Sequence, residues 1–145
     1  MKGISMKAIY TAEALATGEG RDGHARTSDG KVDLDLSIPK EMGGNGVGTN
    51  PEQLFAAGYA ACFHSALRLV AGQDKADVTD STVGARVSIG SLDNGGFGLA
   101  VELEVTLPNL DHDTAQKLAE KAHEVCPYSN ATRGNIDVNL VVTDD

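Results

Sequence analysis

The chain holds two thiols, Cys62 and Cys126. A cysteine can serve as a nucleophile, a metal ligand or half of a disulfide, or it can be an inert apolar side chain. Two are too few for a disulfide scaffold or an all-cysteine zinc site. Mixed metal ligation is also poorly supplied. Cys62 and His64 stand two apart and point to different faces of a helix, while His123 and Cys126 share a face at spacing three without an evident third ligand. A Cys–His hydrolase would need His24, His112 or His123 as its base, and the sequence singles out none of them. By residue type alone, Cys62 reads as a buried structural cysteine and Cys126 as the last apolar residue of a stripe. Two charges complete the set. Arg21 is the one cation in the glycine-rich segment GEGRDG, and Glu52 falls in the first turn of a helix. Their ordinary readings are a solvated loop residue and a favourable charge at a helix N-terminus.

Cys62 is carried by the best-marked helix. Asn50 can cap it, Pro51 suits its first position and Gly72 is a natural stop. The run between is apolar on most sides as far as Arg68, which predicts a central helix with other elements on several faces. Its small residues, Ala56, Ala57, Gly58, Ala60 and Ala61, let another backbone approach, and Gly58 is a point where it can bend. An apolar site raises the pKa of a thiol by disfavouring the thiolate. The helix N-terminus lies about 15 Å from Cys62 along the axis, too far for the helix dipole to help. A nucleophilic Cys62 therefore needs a cation from another element. Cys126 closes a second helix, predicted over residues 111–126. Its stripe is Ala115, Leu118, Ala119, Ala122, Val125 and Cys126, and Pro127 stops it. A thiol at a helix end is expected to be more exposed and mobile than one at mid-helix, which suits a resolving role.

The remaining elements are strands. Residues 7–17 read as a first strand, and 24–28 and 32–38 as a hairpin about Asp29-Gly30. On the second arm Val32, Leu34, Leu36 and Ile38 form an apolar face, with Asp33, Asp35 and Ser37 toward water. The glycine-rich loop 42–50 lacks the Gly-Lys-Ser/Thr ending of a phosphate-binding loop. Residues 80–92 and 97–107 alternate around a turn at 93–96, and 136–143 form a last strand. Three strands, a helix, two strands, a helix and a strand predict one α+β domain over residues 1–145, with antiparallel sheets around a central buried helix.

Composition narrows the function classes. At 145 residues, 41% hydrophobic and 23% charged, the chain suits one soluble globular domain. With no Trp and 4% aromatic residues, its core must be aliphatic. A net charge of −9 disfavours nucleic acid and acidic lipid surfaces as partners. Residues 1–14 lack the apolar run of a signal peptide. His64, Ser65 and Arg68 argue against a membrane span at 54–71. The expected compartment is a reducing cytoplasm, where a transient catalytic disulfide is more usual than a structural one.

Five segments, YTAEALATGEGRDG, LSIPKEMGG, GTNPEQLFAAGYAACFHSAL, GGFGLAVELEV and AHEVCPYSNATRGN, spread from Tyr10 across most of the chain. Together they closely resemble the organic hydroperoxide resistance branch of the Ohr/OsmC family of thiol peroxidases. The resemblance implies an intertwined homodimer with active sites at the interface, and reduction of organic hydroperoxides, fatty-acid hydroperoxides included, to alcohols. It implies that Cys62 is the peroxidatic cysteine that becomes a sulfenic acid and Cys126 the resolving one. It also implies that Arg21 stabilises the thiolate, that Glu52 orients Arg21, and that a protein-bound dihydrolipoyl group reduces the resulting disulfide. No cofactor or metal is implied, since sulfur carries both electrons. One relation stays open. On a straight helix Glu52 lies about 15 Å from Cys62, a long reach for one arginine. Either the helix bends near Gly58, or Glu52 precedes the true helix start, or a second subunit contributes. Two rival readings are the osmotically induced branch of the family and a non-catalytic protein that binds an acyl ligand in an apolar pocket.

Overall fold

The computed structural model describes residues 5–143; for residues 1–4 the N-terminal reading falls outside the described residues. The chain forms two units, residues 1–51 and 52–145.

The first unit is a three-stranded antiparallel sheet of β1 (Ala14–Thr17), β2 (His24–Thr27) and β3 (Asp33–Asp35), in that order. Both outer strands are shorter than their sequence patterns. β1 is limited to the four residues that face β2, from Ala14 opposite Thr27 to Thr17 opposite His24. Ile9, within the predicted strand, is fully exposed. β3 ends at Asp35 because the chain changes partner there. Leu36 bridges to Thr49, and the Ser37 amide donates to the Thr49 carbonyl at 2.9 Å. This exchange also buries Ser37, which the alternation assigns to water. Its hydroxyl accepts the Gly48 amide at 2.8 Å.

Between β1 and β2 the glycine-rich segment makes a single 3-10 turn, Gly20–Asp22. Gly23 closes it under a tight constraint: a Cβ there would sit 2.2 Å from the Thr17 carbonyl oxygen. Only glycine allows the strands to approach this closely. The Asp22 carboxylate accepts the Ile38 amide at 3.0 Å, which ties the turn to the chain beyond β3.

The second unit packs helices on a three-stranded sheet. Helix α1 spans Pro51–Gln73, and the hairpin β4 (Thr82–Ser91) and β5 (Phe97–Thr106) follows. Then come α2 (His112–Val125), α3 (Pro127–Thr132) and β6 (Val138–Thr143). The strand order is β4-β5-β6. The hairpin is antiparallel as predicted, with Ile89 opposite Leu99 and Val83 opposite Val105. β6 departs from the expected antiparallel sheets: it runs parallel to β5, with Leu103 opposite Leu140. The connection carries two helices, and such a crossover returns the chain in its original direction.

The alternating face of β5 (Val101, Leu103 and Val105), continued by Leu107 just beyond it, forms the floor of the core. Above it lie Ala115, Leu118, Ala119 and Ala122 of α2 and one face of α1. That face is Tyr59, Phe63, Ala66, Leu67, Val70 and Ala71, at helical spacing. Leu54 and Leu69 remain exposed, so α1 is covered on fewer sides than its composition suggests. By length and composition alone α1 could cross a bilayer, but a core helix meets the same measure, and this one contributes six residues to the core cluster.

Asp111 caps α2, accepting the Thr114 amide at 3.2 Å and the Thr114 hydroxyl at 2.7 Å. α3 was not legible. Pro127, read as a helix stop, is also the first residue of a new helix, a position proline favours because no amide donor is needed there.

Candidate redox site

α1 carries Cys62 in its middle, and the α2–α3 elbow carries Cys126, the residue that ends one helix and caps the next. Both thiols are free. Their sulfurs lie 3.4 Å apart, with the Cys126 thiol donating to the Cys62 sulfur. Two cysteines separated by 64 positions in sequence thus meet in van der Waals contact.

Their exposures reverse the sequence expectation. Cys126 is fully buried within the core cluster, whereas Cys62 is only half-buried. The chain does not fray after α2 but folds directly into α3, and Cys126 packs within the core cluster that holds residues of α1, α2 and β5.

The approach of α3 to α1 uses the small-residue stretch. A Cβ at Gly58 would lie 2.9 Å from the Tyr128 hydroxyl oxygen. The Tyr128 ring stacks on Phe55 with centroids 5.9 Å apart and meets Tyr59 at 5.5 Å. Helix α1 continues without interruption through Gly58. Phe55, Tyr59 and Tyr128 thus form one aromatic cluster where α3 meets α1.

Burial pushes the Cys62 thiol above the ordinary thiol range. The backbone amide of Tyr128 acts in the opposite direction by hydrogen-bonding toward the sulfur, and the neighbouring Cys126 thiol pushes upward again. The first amides of a helix have no intrahelical acceptor, so Tyr128, second in α3, has its amide to offer. Sequence reasoning missed this donor. Its signal was Cys126-Pro127, a capping position followed by proline.

Behind the thiols lies a buried polar cluster. The Tyr59 hydroxyl bonds to Ser129 Oγ at 2.8 Å and to Thr132 Oγ1 at 3.0 Å. His123 Nδ1 bonds to Ser129 Oγ at 2.8 Å. Burial, and then the nearby Arg133 charge, lower the His123 pKa and favour its neutral form. His64, by contrast, bonds to Ser81 Oγ at 2.9 Å. Among the described residues no three potential metal ligands converge.

Arg21 belongs to the first unit, half-buried on its 3-10 turn. Glu52 belongs to the second, half-buried in the first turn of α1. Glu52 is inside the helix and not in a loop before it, which removes one of the three ways to shorten its distance to Cys62. A groove of about 650 Å³ also opens on the second unit. Its walls include Phe55, Phe97, Leu99, Thr132 and Ile136. Phe55 and Thr132 both touch the surroundings of the dithiol, through Tyr128 and Tyr59.

Residues 43–141 match the model of the OsmC-like protein family. The chain is 55% identical over 138 residues to an organic hydroperoxide resistance protein of Xanthomonas axonopodis pv. citri, covering 94% of this chain and 96% of that one. Among solved structures, an organic hydroperoxide resistance protein from Legionella pneumophila superposes with a TM-score of 0.90 at 52% identity, covering 94% of this chain and 99% of that one. Another from Elizabethkingia anophelis does so with a TM-score of 0.92 at 52% identity, covering 97% and 100%. With the paired thiols in place and similarity over nearly its whole length, the chain belongs to the OsmC-like family, in the branch of the organic hydroperoxide resistance proteins.

Proposed function

We propose that this protein is a cysteine-based peroxidase that reduces organic hydroperoxides, fatty-acid hydroperoxides among them, to alcohols. The observation that carries the reading is the 3.4 Å contact between two free thiols of unequal exposure. The more accessible Cys62 attacks the distal peroxide oxygen as a thiolate. The O–O bond breaks, the alcohol leaves after taking a proton, and Cys62 becomes a sulfenic acid. The Cys126 sulfur then attacks the Cys62 sulfur, water leaves, and a disulfide forms. An external dithiol, such as the dihydrolipoyl group of a lipoylated protein, returns both thiols while itself becoming a disulfide.

The raised pKa of Cys62 is the obstacle this mechanism must overcome. The Tyr128 amide supplies part of the stabilisation of the thiolate. The family resemblance assigns the rest to Arg21, whose guanidinium would be oriented by the Glu52 carboxylate. A charge-assisted hydrogen bond to sulfur favours the thiolate and can steady charge on the departing oxygen. The groove bounded by Phe55, Phe97 and Ile136 fits the acyl part of a bulky peroxide.

The working form in this reading is a homodimer in the cytoplasm. Support for the dimer is the exposure of Met6, Ile9, Tyr10 and Leu15 on the first unit, apolar surface of the kind that marks an interaction site. The deciding experiment is a coupled assay with tert-butyl hydroperoxide and dihydrolipoamide. Turnover is expected for the natural chain and none for Cys62→Ser. Full activity of Cys62→Ser would overturn the mechanism.

A further inference from the structure

Ser129 is fully buried, and its hydroxyl is the hub of the polar cluster behind the thiols. Its two side-chain partners have a particular placement. Tyr59 stands three residues before Cys62 on α1, and His123 stands three residues before Cys126 at the end of α2. Residues three apart share a helix face. Ser129 itself lies three residues after Cys126, within α3. One hydroxyl therefore joins the turn beside one cysteine to the turns on both sides of the other.

One arrangement of protons satisfies the whole cluster. The Thr132 hydroxyl donates to the Ser129 carbonyl at 3.2 Å. Tyr59 then donates to Thr132, Ser129 donates to Tyr59, and His123 donates from Nδ1 to Ser129. No buried side-chain nitrogen or oxygen lacks a partner among the described residues. Arg133 adds a tie by donating to the His123 carbonyl and, at 2.8 Å, to Asn130 Oδ1. Apolar packing is non-directional and tolerates sliding. A satisfied hydrogen-bond network inside the core fixes one relative placement of its elements.

We infer that Ser129 is a positioning residue: through Tyr59 and His123 it sets the spacing of the two sulfurs. A disulfide requires the sulfurs to close from 3.4 Å to about 2.05 Å, with specific angles. Small misplacements of reacting groups are expensive in rate and equilibrium. The inference rests on the reading of Cys62 and Cys126 as a redox pair, so it is tested first without peroxide.

The protein is equilibrated with mixtures of oxidised and reduced dithiothreitol. The Cys62–Cys126 bond forms as the dithiothreitol disulfide breaks, two electrons and two protons passing to dithiothreitol. Ser129→Ala and Tyr59→Phe each remove two bonds of the cluster, and each is expected to lower the equilibrium constant for the protein disulfide by about fivefold, a loss in the disulfide form the size of about one buried hydrogen bond. Tyr59→Phe keeps the ring and its packing, so it carries the comparison if Ser129→Ala does not fold. Val105→Ala, a core truncation on β5, supplies the control and is expected to stay within about twofold of the natural chain. A folded Tyr59→Phe that also stays within this limit overturns the role of Ser129. So does an equal fall in Val105→Ala, which would mark general softening. A natural chain that forms no Cys62–Cys126 disulfide at all overturns the redox-pair reading along with it. Peroxide turnover with unchanged variant equilibria sinks only the Ser129 inference.

Discussion

Gly58 and Tyr128 meet so closely that a Cβ on the first would stand 2.9 Å from the hydroxyl oxygen of the second. In an exposed helix interior, glycine to alanine gains about 1 kcal/mol. Here Gly58→Ala must displace a ring that is stacked on Phe55 and packed on Tyr59. The expected outcome is no gain in thermal stability and an altered near-ultraviolet circular dichroism of the tyrosines. A stabilisation of about 1 kcal/mol with an unchanged spectrum would show that the close approach is not a constraint.

Cys126→Ser separates the two chemical steps. Attack by Cys62 does not need the second thiol, so this variant is expected to consume about one equivalent of organic hydroperoxide and stop. Its Cys62 sulfenic acid would then be trapped by dimedone and seen as an adduct by mass spectrometry. Repeated turnover with a dithiol at the natural rate would mean that Cys126 is not the resolving residue.

Arg21→Ala tests the source of thiolate stabilisation. Removing a cation that favours the charged form raises the pKa of the group it served. Alkylation of Cys62 by iodoacetamide should therefore slow at neutral pH, with its pH profile displaced to higher pH. Arg21→Lys is expected to restore only part, because an ammonium lacks the planar fork that a carboxylate such as Glu52 can orient. An identical profile for Arg21→Ala would remove Arg21 from the mechanism.

The sequence made some of these residues legible and concealed others for physical reasons. The β4–β5 hairpin and α1 follow from period and capping, because strong local patterns coincide with their tertiary partners. Cys62 and Cys126 were recognisable from the segments around them, but their contact was not, since it depends on the packing of elements far apart in sequence. The exposure of Cys126 was misjudged because Pro127 admits two readings, a stop for α2 and a start for α3. Ser37 and Ser129 look like ordinary surface serines by type. Each is buried because a particular donor or acceptor happens to face it, Gly48 in one case and Tyr59 with His123 in the other. The parallel placement of β6 is likewise a property of the crossover, not of its own alternating residues.

Two histidines give the folded state opposite dependences on pH. His24 lies between Asp35, 2.8 Å from Nδ1, and Asp33, 2.5 Å from Nε2. The bond to Asp35 and then that to Asp33 raise its pKa. A group whose folded pKa exceeds its unfolded value, about 6.5 for histidine, contributes fully below that value. Its contribution is lost as the pH rises through the folded pKa. His123 runs the other way. Burial, followed by the Arg133 charge, lowers its pKa, so the unfolded chain binds the proton first. Stability is then undiminished above about pH 6.5 and falls as the pH drops toward the lowered folded pKa. Melting temperatures measured between about pH 5 and 8 separate the two. His123→Gln is expected to flatten the acid side of the profile, whatever its baseline loss from the missing Ser129 bond. His24→Asn is expected to flatten the alkaline side, and because His24 is exposed, added salt should produce part of the same effect in the natural chain. Unchanged slopes in either variant would refute the assignment of that limb.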